Sequence, residues 1–96
     1  MEKINGMTCS MRHITASDGE ILSQYVCEKF PWVFDTGYGY ILMLREYQYP
    51  VLKLKEMGIS KSVRKLVFCM RKQHGIGMIC FDPDADTLDG YDVFDW

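Results

Sequence analysis

Residues 60–81, SKSVRKLVFCMRKQHGIGMICF, contain the two clearest structural elements of this 96-residue chain. Ser60 or Ser62 is suited to the cap of a helix, and Gly75 to the left-handed conformation that ends one. Between them, apolar residues recur at spacings of three and four, which puts them on one helical face; they are Val63, Leu66, Val67 and Met70. Residues 76–81 then form a short apolar run. The stretch therefore predicts a helix followed directly by a strand.

The first third of the chain predicts another strand and another helix. Residues 7–14 alternate loosely between apolar and polar side chains, as a strand does. Two overlapping pairs have the spacing at which a hydroxyl and a carboxylate cap the first turn of a helix; they are Thr15 with Asp18 and Ser17 with Glu20. Pro31 ends such a helix. We expect it to run from about residue 17 to residue 29.

The middle of the chain predicts a strand and a short helix. Residues 38–44 are a continuous apolar run after a glycine turn, which is typical of a strand buried on both faces. Residues 50–58 fit either an exposed strand, because leucines alternate with lysines, or a helix. Pro50 suits a first helical position and Gly58 a helix end, so the helix is favoured.

Taken in order, these elements predict an α/β or α+β fold. A small sheet of three to four strands packs against two to three helices. The length accommodates one hydrophobic core, so residues 1–96 are expected to form a single domain with an acidic C-terminal segment at 82–96. An apolar fraction of 48% indicates a folded chain.

The cysteines and the apolar runs indicate a cytoplasmic protein without a metal or other cofactor. Cys9, Cys27, Cys69 and Cys80 form no Cys-x-x-Cys pair, and the histidines do not complete a zinc site. Buried free thiols are the expected state. No apolar run reaches the ~20 residues that cross a bilayer, and the start of the chain lacks a secretory signal. No membrane association is expected.

Charge is divided unevenly along the chain. Before Phe81 there are eleven Lys and Arg against seven Asp and Glu, whereas residues 82–96 carry six Asp and no Lys or Arg. We refer to residues 82–96 as the acidic segment. Its acids and aromatic side chains are the candidate partner-binding residues; they are Asp82, Asp84, Asp86, Asp89, Tyr91, Asp92, Phe94, Asp95 and Trp96.

Catalytic and metal-binding motifs fit the acidic segment poorly. An EF-hand loop beginning at Asp82 would place Thr87 where glycine is needed and Val93 where a bidentate glutamate is needed. The Asp-x-Asp pattern at Asp82 and Asp84 differs from that of haloacid-dehalogenase-like phosphatases, which carry it on their first strand. His13 pairing with Asp82 as a general base is an alternative, but a histidine that orders the turn after the first strand is preferred. No enzymatic activity is expected.

Two surface roles remain. If the acidic segment is extended, its carboxylates lie about 7–10 Å apart, close to the repeat of phosphates, and they can occupy a basic nucleic-acid groove. Lysines and arginines between residues 53 and 72 offer a basic surface, yet no aromatic stacking pattern is evident among them. With a net charge of −2, direct nucleic-acid binding is not expected.

Five scattered pieces of the chain resemble a family of unknown function. They are RHIT (12–15), GYGYILML (37–44), MGISKSVRKLVFCMRKQHG (57–75), MICFDPDADTLDG (78–90) and VFDW (93–96). Members are small bacterial proteins from plasmids, prophages and genomic islands, often encoded among antirestriction genes. In that family a Leu-Pro pair tends to precede the last aromatic residue, where this chain has Gly90-Tyr91-Asp92-Val93.

The resemblance implies a genomic context and no catalytic residues. Together with the acidic segment, it predicts a non-catalytic inhibitor of a host CRISPR or restriction complex, whose partner is a protein with a basic nucleic-acid-binding groove. The alternative is an accessory or regulatory protein of a mobile element that binds a cognate protein or itself through Phe94 and Trp96. A homodimer is left open.

Overall fold

The computed structural model describes residues 3–26 and 32–95, and within these ranges it contains four strands and three helices. The strands are β1 Gly6–Ser10, β2 Val33–Asp35, β3 Tyr40–Leu42 and β4 Met78–Asp82. The helices are α1 Ala16–Tyr25, α2 Pro50–Met57 and α3 Lys61–His74. One mixed sheet has the order β1-β4-β3-β2, in which β1 and β4 are parallel and the other neighbours antiparallel. The predicted α+β architecture is confirmed.

Local sequence signals account for the ends of α2 and α3. The hydroxyl of Ser60 accepts a hydrogen bond from the amide of Val63 and so caps α3. Pro50 opens α2, and Gly58 and Gly75 follow the two helices with φ angles of 93° and 62°. Because only glycine adopts these angles without strain, both helices stop where the chain predicts.

The first strand is shorter than the pattern of residues 7–14 predicts. The hydroxyl of Ser10 accepts a hydrogen bond from the amide of Arg12, and Met11–His13 turn into a single 3₁₀ turn. This side-chain bond offers the backbone an alternative to the sheet and ends β1 at Ser10. Residues 27–29 of the predicted first helix, and Pro31, lie outside the described ranges.

Strand β2 and its hairpin with β3 are not predicted by the sequence pattern. The carboxylate of Asp35 accepts from the amide of Gly37, and the hydroxyl of Thr36 accepts from the amide of Gly39. These bonds build the turn between the strands. Gly39 is required there, because a Cβ atom would collide with the carbonyl oxygen of Phe81 on β4.

The helices cover one face of the sheet only. On that face Cys9, Leu42, Ile79 and Phe81 are completely buried in the core that the sheet shares with the helices. On the other face Ile41 is half-buried. The expectation that residues 38–44 form a strand buried on both faces is therefore wrong. Among the described residues, no helix is long and apolar enough to cross a membrane.

Asp18 ties two helix N-termini together. Its carboxylate accepts hydrogen bonds from the amide of Thr15 (3.1 Å) and from the amide (2.8 Å) and hydroxyl (2.7 Å) of Ser60. The amide of Asp18 in turn donates to the Thr15 hydroxyl, which completes a capping box. Of the two overlapping caps in the sequence, the one at Thr15 is formed. A buried negative charge here lies at the positive ends of both α1 and α3.

We predict that Asp18→Ala lowers the free energy of unfolding by about 3 kcal/mol, because three donors lose a charged acceptor. Urea denaturation followed by circular dichroism measures the change. Glu20→Ala is the matched control, since Glu20 is an exposed acid of the same helix; it should change stability by less than about 0.5 kcal/mol. Equal effects of the two substitutions would show that Asp18 does not join the helices.

Candidate functional site

The acidic segment folds back over the 3₁₀ turn Met11–His13 and is held there by a buried imidazole. Nε2 of His13 lies 2.8 Å from the amide nitrogen of Leu88, and Nδ1 lies 2.8 Å from the carbonyl oxygen of Asp92. A backbone amide can only donate, so Nε2 is the acceptor and Nδ1 carries the hydrogen. His13 is therefore neutral in this arrangement and bridges two points of the segment.

Further bonds to the backbone extend this attachment on both sides of His13. The amide of Ser10 donates to the carbonyl of Asp86 (2.9 Å), and the amide of Phe94 donates to the carbonyl of Arg12 (2.7 Å). Together with the two His13 bonds, they fix the course of the chain from residue 86 to residue 94 without using a carboxylate. We call this set of four bonds the backbone clamp.

Tyr91 anchors the same segment to α3. Its ring meets the ring of His13 edge to face, with centroids 6.5 Å apart. Burial, followed by the nearby thiol of Cys69 on α3, raises the pKa of Tyr91. The tyrosine packs against the hydrophobic core. It therefore attaches the segment to the domain and does not protrude toward a partner.

Most carboxylates of the acidic segment point to solvent. Asp84, Asp86, Asp89 and Asp92 are exposed. Within residues 3–26 and 32–95, Asp95 is the one acid of the segment in an ion pair, at 3.0 Å from Arg12. Both partners are largely exposed, so this pair adds little stability. The clamp thus leaves an uncompensated negative surface.

The remaining candidate partner-binding residues have different surroundings. Asp82 is half-buried at the end of β4, and its carboxylate accepts from the amide of Asp84 at 2.8 Å. Phe94 is half-buried, and Trp96 lies beyond the described residues. Turns at residues 83–84 and 89–90 show that the segment is not extended, contrary to the expectation from the sequence, so the basis for a regular spacing of about 7–10 Å between its carboxylates is absent.

Sequence reasoning favoured a hydrogen-bonding role for His13 at the turn after the first strand over a role as general base, but it missed that the partners of His13 lie in the acidic segment. Neither ring nitrogen pairs with Asp82, because both are engaged by the segment's backbone. Neither is therefore available as a general base in this conformation. The partners lie 75 and 79 residues away and contribute main-chain atoms, so no spacing of residue types could have revealed them.

A shallow groove runs beside the clamp. It encloses about 560 Å³ and is lined by Met11, Arg12, Pro83 and Asp95. Its apolar floor and its exposed ion pair offer a partner one place for an apolar side chain next to the negative surface.

The described thiols form no disulfide, and burial disfavours the thiolate form of two of them. Cys9, Cys69 and Cys80 form no disulfide. Burial, and the neighbouring Cys80, raise the pKa of Cys9 to about 12, and burial and Asp82 raise that of Cys80. Only the thiolate is a good nucleophile or metal ligand. Within the described ranges, no three His, Cys, Asp or Glu side chains are grouped to hold a metal ion.

The fold and the clamp define a class of small α+β domain, in which a C-terminal acidic segment is fastened across the end of the first strand. The chain belongs to a family of unknown function, DUF5983, whose C-terminal domain profile matches residues 6–96. This agrees with the resemblance to an uncharacterised family that the sequence motifs indicate. No curated protein and no solved structure matches the chain.

We predict that His13→Phe releases the acidic segment while preserving the core, because the phenyl ring fills the site without supplying either bond. Hydrogen exchange should show at least a roughly fivefold loss of protection at the Leu88 amide, since a hydrogen bond contributes about 1 kcal/mol or more. Protection at Ile79 on β4 should be unchanged. His74→Phe, at an exposed histidine, is the control. Retained protection at Leu88 would contradict the clamp.

We also predict that alkaline pH destabilises the fold through Cys9. The folded-state pKa of about 12 lies above the ordinary value of 9.0, so this contribution to stability is complete below pH 9 and is lost as pH rises toward 12. Urea denaturation at increasing pH measures the loss, which should be smaller in Cys9→Ala. Alkylation at pH 8 should spare Cys9 until the protein is unfolded. Rapid alkylation of native Cys9 would refute this.

Proposed function

We propose that this domain is a non-catalytic protein-binding module of a mobile genetic element that inhibits a host defence complex, either a CRISPR effector or a restriction enzyme. Its acidic segment occupies the basic groove in which that complex holds nucleic acid. The observation that carries the proposal is the backbone clamp: the segment is held by main-chain atoms, and its carboxylates remain turned outward.

A clamped acidic surface is better suited to this role than a free tail. A disordered tail loses conformational entropy when it binds, whereas a segment that is already fixed avoids much of that cost. Uncompensated carboxylates also attract a basic partner as it approaches and repel acidic proteins. Asp84, Asp86, Asp89 and Asp92 are the residues that supply this charge.

The genomic setting that the motif resemblance implies supports the same proposal. Bacterial proteins of plasmids, prophages and genomic islands meet host defence in the cytoplasm, and we propose that location for this chain. The engagement of both His13 nitrogens supports a mode of action by binding rather than by catalysis.

A second candidate function is favoured by the uncovered face of the sheet. Thr8, Cys80, Ile41 and Phe34 lie side by side across all four strands on that face, and Phe34 is 42% exposed. An accessory or regulatory protein of a mobile element could bind a cognate protein, or a second copy of itself, through such a row. A single species of monomer mass in sedimentation, at all concentrations, would weigh against self-association.

We predict that the triple substitution Asp84→Asn, Asp86→Asn and Asp89→Asn weakens binding to the host complex by at least about tenfold and makes the remaining affinity less dependent on salt. Binding of immobilised protein to purified CRISPR effectors and restriction enzymes, over a series of salt concentrations, measures both quantities.

The matched control replaces three exposed acids elsewhere, Glu20, Glu46 and Glu56, by glutamine, and so removes the same charge. If the mechanism is correct, this variant keeps most of its affinity. Equal losses in the two triple variants would indicate a general charge effect. Unchanged binding of the aspartate variant would exclude the acidic segment as the binding surface.

A further inference from the structure

The solvent face of α3 carries every cation of that helix around one exposed aromatic ring. At about 100° of rotation per residue, five basic side chains fall within an arc of about 120° centred on Phe68; they are Lys61, Arg64, Lys65, Arg71 and Lys72. The opposite side holds the buried residues of the helix. Phe68 is 52% exposed, which is a large apolar surface to leave in water. We call this set the basic face.

The cations of the basic face have no acid beside them in the sequence and no ion pair among the described residues. No Asp or Glu occurs between Glu56 and Asp82. In the part of the chain that the structure describes, no α3 cation belongs to an ion pair. The guanidinium of Arg64 donates to the carbonyl of Ile59 at 3.2 Å, and Nζ of Lys72 lies 5.9 Å from the centre of the Phe68 ring. The face therefore presents unneutralised positive charge around an accessible ring.

From this arrangement we infer that the basic face of α3 binds single-stranded nucleic acid, with a base stacked on Phe68 and the surrounding lysines and arginines on the phosphates. Cations alone would suit any anion. An aromatic ring among them selects a polyanion that also carries planar bases, because stacking on such a ring contributes strongly and tolerates any base. The face is about 16 Å long from Lys61 to Lys72, enough for a short stretch of strand.

Two other polyanions fit less well. A duplex offers the same phosphates but keeps its bases stacked inside, so Phe68 would find no base face. An acidic protein surface would pair with the cations and leave the ring without a matching partner. The sequence alone shows no regular pattern of aromatic residues among the basic ones. The helix nevertheless places Phe68 between Arg64 and Lys72 on one face, where it can stack with a base.

This inference concerns a different surface from the proposed function. The Tyr91–Cys69 contact brings the acidic segment against α3, so its carboxylates oppose the binding of a polyanion at the basic face. Removing them should weaken the proposed binding to a defence complex and strengthen binding of nucleic acid. The two proposals can therefore fail independently.

Fluorescence anisotropy with a labelled oligonucleotide, as single-stranded DNA and as RNA of the same sequence, tests the inference. Phe68→Leu should weaken binding of the single strand by about tenfold, because a stacked base is lost. Its matched control is Leu52→Ala on α2, at a side chain 53% exposed, which should bind as the unchanged protein does. Binding of either the DNA or the RNA strand, lost in Phe68→Leu, supports the inference.

The phosphate contacts are tested by charge. Lys61→Gln with Lys65→Gln should make the slope of log affinity against log salt shallower by about 1.4, as expected for two contacts to a single strand. Lys53→Gln with Lys55→Gln on α2 removes the same charge and should leave the slope nearly unchanged. Equal affinity for a duplex of the same sequence, equal affinity for polyglutamate, or unaltered binding by Phe68→Leu would each overturn the inference.

Discussion

The two hydrogen bonds of the His13 imidazole are the constraint on which the course of the acidic segment depends. They join the turn after the first strand to the segment after the last one, and they do so with neutral groups on both sides. Because the segment contributes main-chain atoms to these contacts, the side chains of Asp89 and Asp92 are not used to hold it. A domain can thus hold a chain firmly and still display its charge, which a segment held by salt bridges could not do.

Charge is separated on this small domain to an unusual degree for a net charge of −2. Tyr91 of the acidic segment lies near Cys69 at the side of the basic face of α3, yet among the described residues the ion pair of the segment is with Arg12 and not with α3. Each surface therefore has an electrostatic potential of its own sign, which extends about one Debye length from the molecule. If both proposals hold, one domain serves two partners of opposite charge, and each surface lowers the affinity of the other for its partner.

Local chemistry made much of the fold predictable. The ends of α2 and α3 could be predicted closely from capping residues, from Pro50 and from the glycine that follows each helix. Such signals act within one turn of the helix end. Strand β2 was not predicted, because three residues are too few to show an alternation of apolar and polar side chains. Its pairing also depends on the Thr36–Gly39 turn. The sequence also predicted the acidic segment as a candidate site. The course of the acidic segment could not be predicted, because it depends on hydrogen bonds to backbone groups that are distant in the sequence. The exposed position of Phe68, in contrast, follows from the helical spacing.

The parallel pairing of β1 with β4 has a consequence for biosynthesis. Within the described part of this domain, β1 is made before its sheet neighbour β4, and the strands β2 and β3 and the helices α1, α2 and α3 are made in between. Until β4 emerges, β1 exposes an unpaired edge, and His13 lacks its acceptor and donor. Such long-range closure is slow compared with helix formation. The sheet of this domain is therefore completed only after β4 has been made, and a chain truncated before β4 leaves β1 unpaired and prone to aggregation.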